Sequence, residues 1–153
     1  MSTTNLSNYN SGFGDMSQTR IGIVVSQWNS EITDALLNGA LDTLKQEGVV
    51  ANNIIVEYVP GSFELSYGAQ RMFERHKINA VICLGCVIQG ETRHFDFICS
   101  AVAHGITNVS LRYNKPVIFG VLTTNNIEQA KARSGGSLGN KGVEAAATAL
   151  AMI

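Results

Sequence analysis

The chain is poor in the residues that mark specialised classes. Its 153 residues include two prolines, three cysteines and one tryptophan. Three cysteines make an odd set, which argues against the disulfide framework of a small secreted domain. No apolar stretch approaches the roughly 20 residues of a bilayer-spanning helix, so a membrane protein is not expected. Neither sign of charge dominates: 11 basic and 12 acidic residues are dispersed along the chain, for a net charge of −1. The electrostatic footprint of a nucleic-acid binder is therefore missing. The first residues show no basic segment leading into an apolar run, so a cytoplasmic location is expected. A hydrophobic fraction of 45% with 15% charged residues is ordinary for one globular domain of this length.

What is present is an alternation. Residues 1–19 are rich in Ser, Thr, Asn and Gly without apolar period, and read as a flexible N-terminal arm ahead of a single domain over 20–153. RIGIVVS (20–26) is a strand-like run, and 30–48 places Ile32, Leu36, Ala40 and Leu44 at a helical step with Gly48 as the stop. IIVEYV (54–59) is a second strand. Pro60 and Gly61 then turn the chain, and Ser62 is expected to cap a helix running to about Glu74. AVICLGCVI (80–88) is a third strand with a helix over about 92–105. KPVIFGVLT (115–123) is a fourth strand, followed by helices over 127–134 and 141–153. Strands apolar on both faces and alternating with helices imply a parallel sheet covered on both sides. The expected fold is thus a three-layer α/β domain whose ligands lie beyond the carboxyl ends of the strands.

Three loops fall at those ends. The first carries Gln27, Trp28 and Asn29, the second Ser62, Phe63 and Glu64, and the third Gln89 to His94. Trp28 either caps the core or stacks on a planar heterocycle. Glu64 either complements a helix dipole or accepts hydrogen bonds from ring or amine N–H groups. Gly90, Glu91 and Thr92 stand where a helix begins, which suits either an ordinary cap or an anion such as phosphate. His94 titrates near neutrality and suits proton transfer. His76 and His104 have no metal-type spacing and read as structural. Cys83 and Cys86 spell C-x-x-C within a strand, where residues three apart face opposite ways, so a redox or metal pair is set aside. The glycine-rich segment 132–142 does not meet the phosphate-loop pattern, which leaves Arg133 and Lys141 as cations on a flexible connection. Arg133 is either a bidentate phosphate holder or a solvated surface charge.

Four stretches in order, VPGSFELSYGA (59–69), LGCVIQGETRHFDFIC (84–99), PVIFGVLTT (116–124) and RSGGSLGNKGVEAA (133–146), closely resemble the lumazine synthase family. The resemblance spans about 18–153 and implies a flavodoxin-like domain with a four-stranded parallel sheet. It also implies condensation of 5-amino-6-(D-ribitylamino)uracil with 3,4-dihydroxy-2-butanone 4-phosphate to give 6,7-dimethyl-8-ribityllumazine, without cofactor or metal. By this resemblance His94 is the catalytic proton-transfer residue. Trp28, Asn29, Ser62, Phe63, Glu64, Cys86, Val87, Ile88, Phe119 and Lys141 then bind the ribitylaminouracil, and Glu91, Thr92 and Arg133 bind the butanone phosphate. Family members form homopentamers with sites between subunits. Phe119 matches an aromatic supplied by the neighbour, and the arm would add an edge strand to the neighbour's sheet. The short GGSLGNKG connection resembles members that build a sixty-chain icosahedral shell, for which riboflavin synthase is a possible enclosed partner. Trp28 stands where many members carry Phe, and Arg93 where many carry a small residue or Pro.

Two rival readings compete. A flavodoxin-type electron carrier would need a glycine- and hydroxyl-rich loop after the first strand, which SQWNSEIT lacks. A catalytically silent shell protein would not need His94 together with Arg133.

Overall fold

The computed structural model describes residues 5–153. Its main elements are β1 (Ile21–Ser26), α1 (Ser30–Gln46), β2 (Ile54–Val59), α2 (Leu65–Arg75), β3 (Ala80–Ile88), α3 (His94–Tyr113), β4 (Val117–Thr124), α4 (Ile127–Arg133), β5 (Ser134–Gly136), β6 (Gly139–Asn140) and α5 (Lys141–Ala151). Strands β1 to β4 form one parallel sheet in the order β2-β1-β3-β4. This is the three-layer α/β domain that the alternation of strands and helices predicts, with the flavodoxin-like four-stranded sheet that the resemblance implies.

Period-two alternation divides the core. Ile23 and Val25 of β1, Ile82, Leu84 and Cys86 of β3, and Leu122 of β4 pack with Leu36, Ala40 and Leu44 of α1 and with the alanines of α5. The opposite face holds Val24, Val81, Cys83 and Val121 with Leu65, Ala69 and Met72 of α2 and Val102 and Ile106 of α3. Each large apolar side chain so buried stabilises the fold by about 1.5–3 kcal/mol. Cys83 and Cys86 lie on opposite faces, as their spacing requires. Burial pushes both thiols up, Cys86 to about 11, so neither is a thiolate near neutral pH.

Chain order reverses between β1 and β3, because β2 lies to one side of β1 while β3 and β4 lie to the other. Such a switch point opens a crevice at the carboxyl ends of the strands. Here two further features widen it. Past Ser26 the chain follows β2, with Gln27 N–H donating to the Val59 carbonyl and Trp28 N–H to the Pro60 carbonyl. Meanwhile β3 runs on: its pairing with β1 ends at Leu84, whereas its pairing with β4 continues to Ile88.

Several local expectations are corrected. Helix α3 starts two residues later than the sequence suggests, at His94, so His94 is its first residue and Glu91 and Thr92 belong to the preceding bend. It also passes through Gly105, which is tucked against Ser66 of α2, and ends at Asn114, whose left-handed backbone (φ 49) precedes Pro116. Ser62 does not cap α2. It lies in a short 3-10 turn, Ser62–Glu64, that leads into the helix. The glycine-rich connection after α4 is not formless, because β5 and β6 pair antiparallel. Residues 5–19 of the expected arm carry no strand and lie along the chain's own body, with Met16 buried in the core; residues 1–4 fall outside the described part. Among the described residues no helix is long and apolar enough to cross a membrane.

Candidate active site

The crevice is a cleft of about 470 Å³ lined by Trp28, Asn29, Pro60, Gly61, Ser62, Phe63, Glu64, Cys86, Val87, Ile88, His94 and Ile98. All three strand-end loops therefore meet in one place.

Trp28 is 73% exposed, so its indole serves no core-capping role and stands available to a planar ligand. Its loop is held rigidly. Trp28 is pinned by its N–H to Pro60, and the side-chain amide of Asn29 donates to the Cys86 carbonyl at 3.0 Å. Asn29 adopts a left-handed backbone (φ 61) as it opens α1, a conformation that Asn tolerates better than most residues.

The free run of β3 gives the cleft a main-chain edge. Val81 and Gln89 N–H both donate toward the β4 side, so odd-numbered residues of β3 address β4. Even-numbered Cys86 and Ile88 therefore turn their backbone groups toward the cleft, beyond the end of β1. The Cys86 carbonyl meets Asn29 there. Val87, of opposite parity, sends its side chain into the α2–α3 layer and supplies part of the cleft wall.

Polar side chains complete the wall. The Ser62 hydroxyl is buried without a hydrogen-bond partner, which is costly unless something else satisfies it. Glu64 accepts from the Gly61 N–H at 3.0 Å and so closes the turn on which Ser62 and Phe63 ride. His94 is exposed at the rim, its backbone N–H 3.4 Å from the Thr92 hydroxyl. Arg93 leans on Asp96, with 3.7 Å between Nε and the carboxylate, and both are exposed. The sequence reading missed Ile98. It lies four residues beyond His94 and thus on the same helix face, a signal that was legible.

Five expected site residues do not line this cleft. Glu91 and Thr92 stand beside it in the exposed bend before α3. Phe119 lies half-buried mid-strand on the α2–α3 face of β4. Arg133 closes α4 with its guanidinium on the Gln129 carbonyl, and Lys141 opens α5 paired with Glu144. The remaining histidines are occupied elsewhere: His76 faces Glu57 at 3.5 Å, and His104 lies 2.7 Å from the Ser100 carbonyl one helical turn away.

Comparison with known proteins identifies the family. The family model described as 6,7-dimethyl-8-ribityllumazine synthase matches residues 18–153. The chain is 59% identical to a protein of that name from Cytophaga hutchinsonii, over 97% of this chain and 94% of the relative. It is 52% identical to one from Parabacteroides distasonis, with the same coverage, and 50% identical to one from Protochlamydia amoebophila, over 91% of this chain and 81% of the relative.

Proposed function

Because the chain belongs to the 6,7-dimethyl-8-ribityllumazine synthase family, we propose that the cleft at the β1/β3 switch point is where it performs that family's transferase reaction in riboflavin biosynthesis. The reaction joins 5-amino-6-(D-ribitylamino)uracil to 3,4-dihydroxy-2-butanone 4-phosphate and releases phosphate and water. One observation carries the assignment to this cleft: an exposed indole, a main-chain edge and an imidazole share it. The pyrimidinedione stacks on Trp28 and presents its ring N–H and C=O groups to the backbone of Cys86 to Ile88. Glu64 accepts from ring or amine N–H groups. The ribityl hydroxyls reach the 62–64 turn, where the Ser62 hydroxyl lacks a partner.

The chemistry follows from that pose. The 5-amino group attacks the butanone carbonyl, and loss of water gives an imine. Elimination expels phosphate, tautomerisation leaves the second carbonyl, and the ribitylamino nitrogen closes the ring with loss of a second water. His94 moves the protons. Glu91, Thr92 and Arg133 hold the phosphate until it departs, and Lys141 lies against the uracil. Holding two reactive partners together supplies much of the acceleration.

A second copy of the chain completes the site. Phe119, Arg133 and Lys141 stand apart from the cleft of their own subunit, and Phe63, Tyr67, Phe97 and Leu111 are large apolar side chains exposed on the single chain, as subunit faces would be. The assembly is a cytoplasmic homopentamer with a site at each interface. The short 134–140 connection favours a sixty-chain shell, with riboflavin synthase as a candidate partner.

Incubation with both substrates, read by absorbance of the lumazine product, tests the reaction. Co-assembly of His94→Ala with Arg133→Ala subunits tests the shared site. The mixture should exceed the summed activity of the separate variants, and mere additivity would reject a site built by two chains.

A further inference from the structure

The β5–β6 hairpin is too short to hold itself. Ser134 pairs with Asn140 and Gly136 with Gly139, with an irregularity between them, and even longer isolated two-stranded ribbons are marginal. Yet the hairpin separates the two cations assigned above. Arg133 ends α4 directly before Ser134, and Lys141 opens α5 directly after Asn140. Whatever fixes the hairpin thus fixes where these two cations leave the backbone.

Part of the support is local. Leu138 N–H donates to the Ala132 carbonyl at 2.9 Å, and the Asn140 side-chain amide donates to the Ala35 carbonyl of α1 at 2.9 Å while its oxygen accepts the Gly142 N–H at 2.8 Å. The rest comes from the opposite end of the chain. Leu6 N–H donates to the Leu138 carbonyl at 2.8 Å, and Asn140 N–H donates to the Ser7 hydroxyl at 3.1 Å. The segment is pre-shaped for this contact, because the Asn5 side-chain oxygen accepts the Ser7 N–H at 2.8 Å. It is seated closely enough that a Cβ on Gly139 would fall 2.7 Å from the nitrogens of Leu6 and Ser7. Further along, the Tyr9 hydroxyl donates to Glu47 at 3.0 Å, the Tyr9 ring stacks on Phe13, and Met16 enters the core. The arm is therefore tethered again on the C-terminal side of the hairpin contact.

We propose that Leu6 and Ser7 are positioning residues for the reaction: they latch the β5–β6 hairpin and so set the placement of Arg133 and Lys141. This inference rests on the reading that those two cations serve the substrates.

The test uses the full chain. Leu6→Pro removes the donor to Leu138, Ser7→Ala is the milder change at the second contact, and Asn10→Ala, exposed on the same arm, is the control. Amide exchange across 134–141 reports the latch, and steady-state kinetics report its effect. In both latch variants the Asn140 amide should exchange about tenfold faster, and KM for the butanone phosphate should rise about three- to tenfold with kcat within about twofold of wild type. Asn10→Ala should match wild type in both measurements. Unchanged exchange overturns the latch whatever the kinetics. Faster exchange with unchanged KM overturns the positioning role. Arg133→Ala, assayed in parallel, tests the underlying assignment separately: an unaltered KM there rejects Arg133 as a phosphate ligand and leaves the exchange result standing.

Discussion

Asn29 and Cys86 are joined across the end of β1 by a 3.0 Å hydrogen bond from the Asn29 side-chain amide to the Cys86 carbonyl. It ties the loop bearing the exposed indole to the strand that offers its backbone to the cleft, so two walls of the cleft are coupled. Asn29→Gly keeps the left-handed turn and deletes only this bond, whereas Asn29→Ala also strains the backbone by roughly 1–2 kcal/mol. Both variants should raise KM for the ribitylaminouracil about three- to tenfold, and only Asn29→Ala should melt clearly lower. Kinetics with thermal melts separate the effects, and equal melting of the two variants would refute the backbone argument.

His94→Ala should lose about a hundredfold in kcat with little change in KM, because proton transfer contributes on that scale while stacking and phosphate holding persist. An exposed first residue of α3 adds little to stability, so melting should not move. A correctly folded, substrate-binding variant with no turnover at all would contradict the view that positioning supplies most of the acceleration.

Gly85 links packing to the site. A Cβ there would lie 2.7 Å from the Ser62 hydroxyl and 2.9 Å from a Leu65 methyl. Gly85→Ala should therefore displace the 62–64 turn, weaken ribitylaminouracil binding about tenfold or more, and lower stability by about 1–3 kcal/mol through overpacking. Calorimetric binding and denaturant melts read the two effects. Wild-type affinity in this variant would mean that the turn does not meet the ligand.

The hydrogen bond from Arg71 holds the Glu57 carboxyl below its ordinary range, with the pair 2.7 Å apart and His76 on the other carboxylate oxygen. A depressed carboxyl contributes stability that is complete above its unfolded pKa and is lost as pH falls through the folded one. Glu57→Gln should thus melt below wild type near pH 7, and the two curves should converge as acid protonates the folded carboxyl. A gap that persists at acid pH would assign the effect to packing instead.

Much of the fold was legible because apolar runs and their punctuation are local. Strands β2 and β3 fall where the runs 54–59 and 80–88 place them. Errors arose where tertiary contact overrides local preference. Gly105 reads as a helix stop, but close contact with α2 at Ser66 favours a small residue there, and the true stop is Asn114 before Pro116. The β5–β6 hairpin is too short to show any period. The bond between Leu6 and Leu138 joins opposite ends of the chain, which no window of sequence reports. For the site, strand-end position gathered Trp28, Ser62, Glu64 and His94 correctly into one cleft. The same rule does not reach Arg133 and Lys141, which stand on the α4–α5 connection outside the cleft of their own chain.

Since β3 outlasts β1, the edge that Cys86 and Ile88 turn toward the cleft consists of amides that every amino acid except proline carries. Side-chain identity there is largely decoupled from ligand reading. The Cys86 side chain points away, into the α1–α5 core, so exchange for a similarly sized apolar residue would be felt as a volume change in the interior and not as altered specificity. Among apolar residues that fit the interior, substitution at these positions should leave recognition unchanged, and only proline would remove the amide itself.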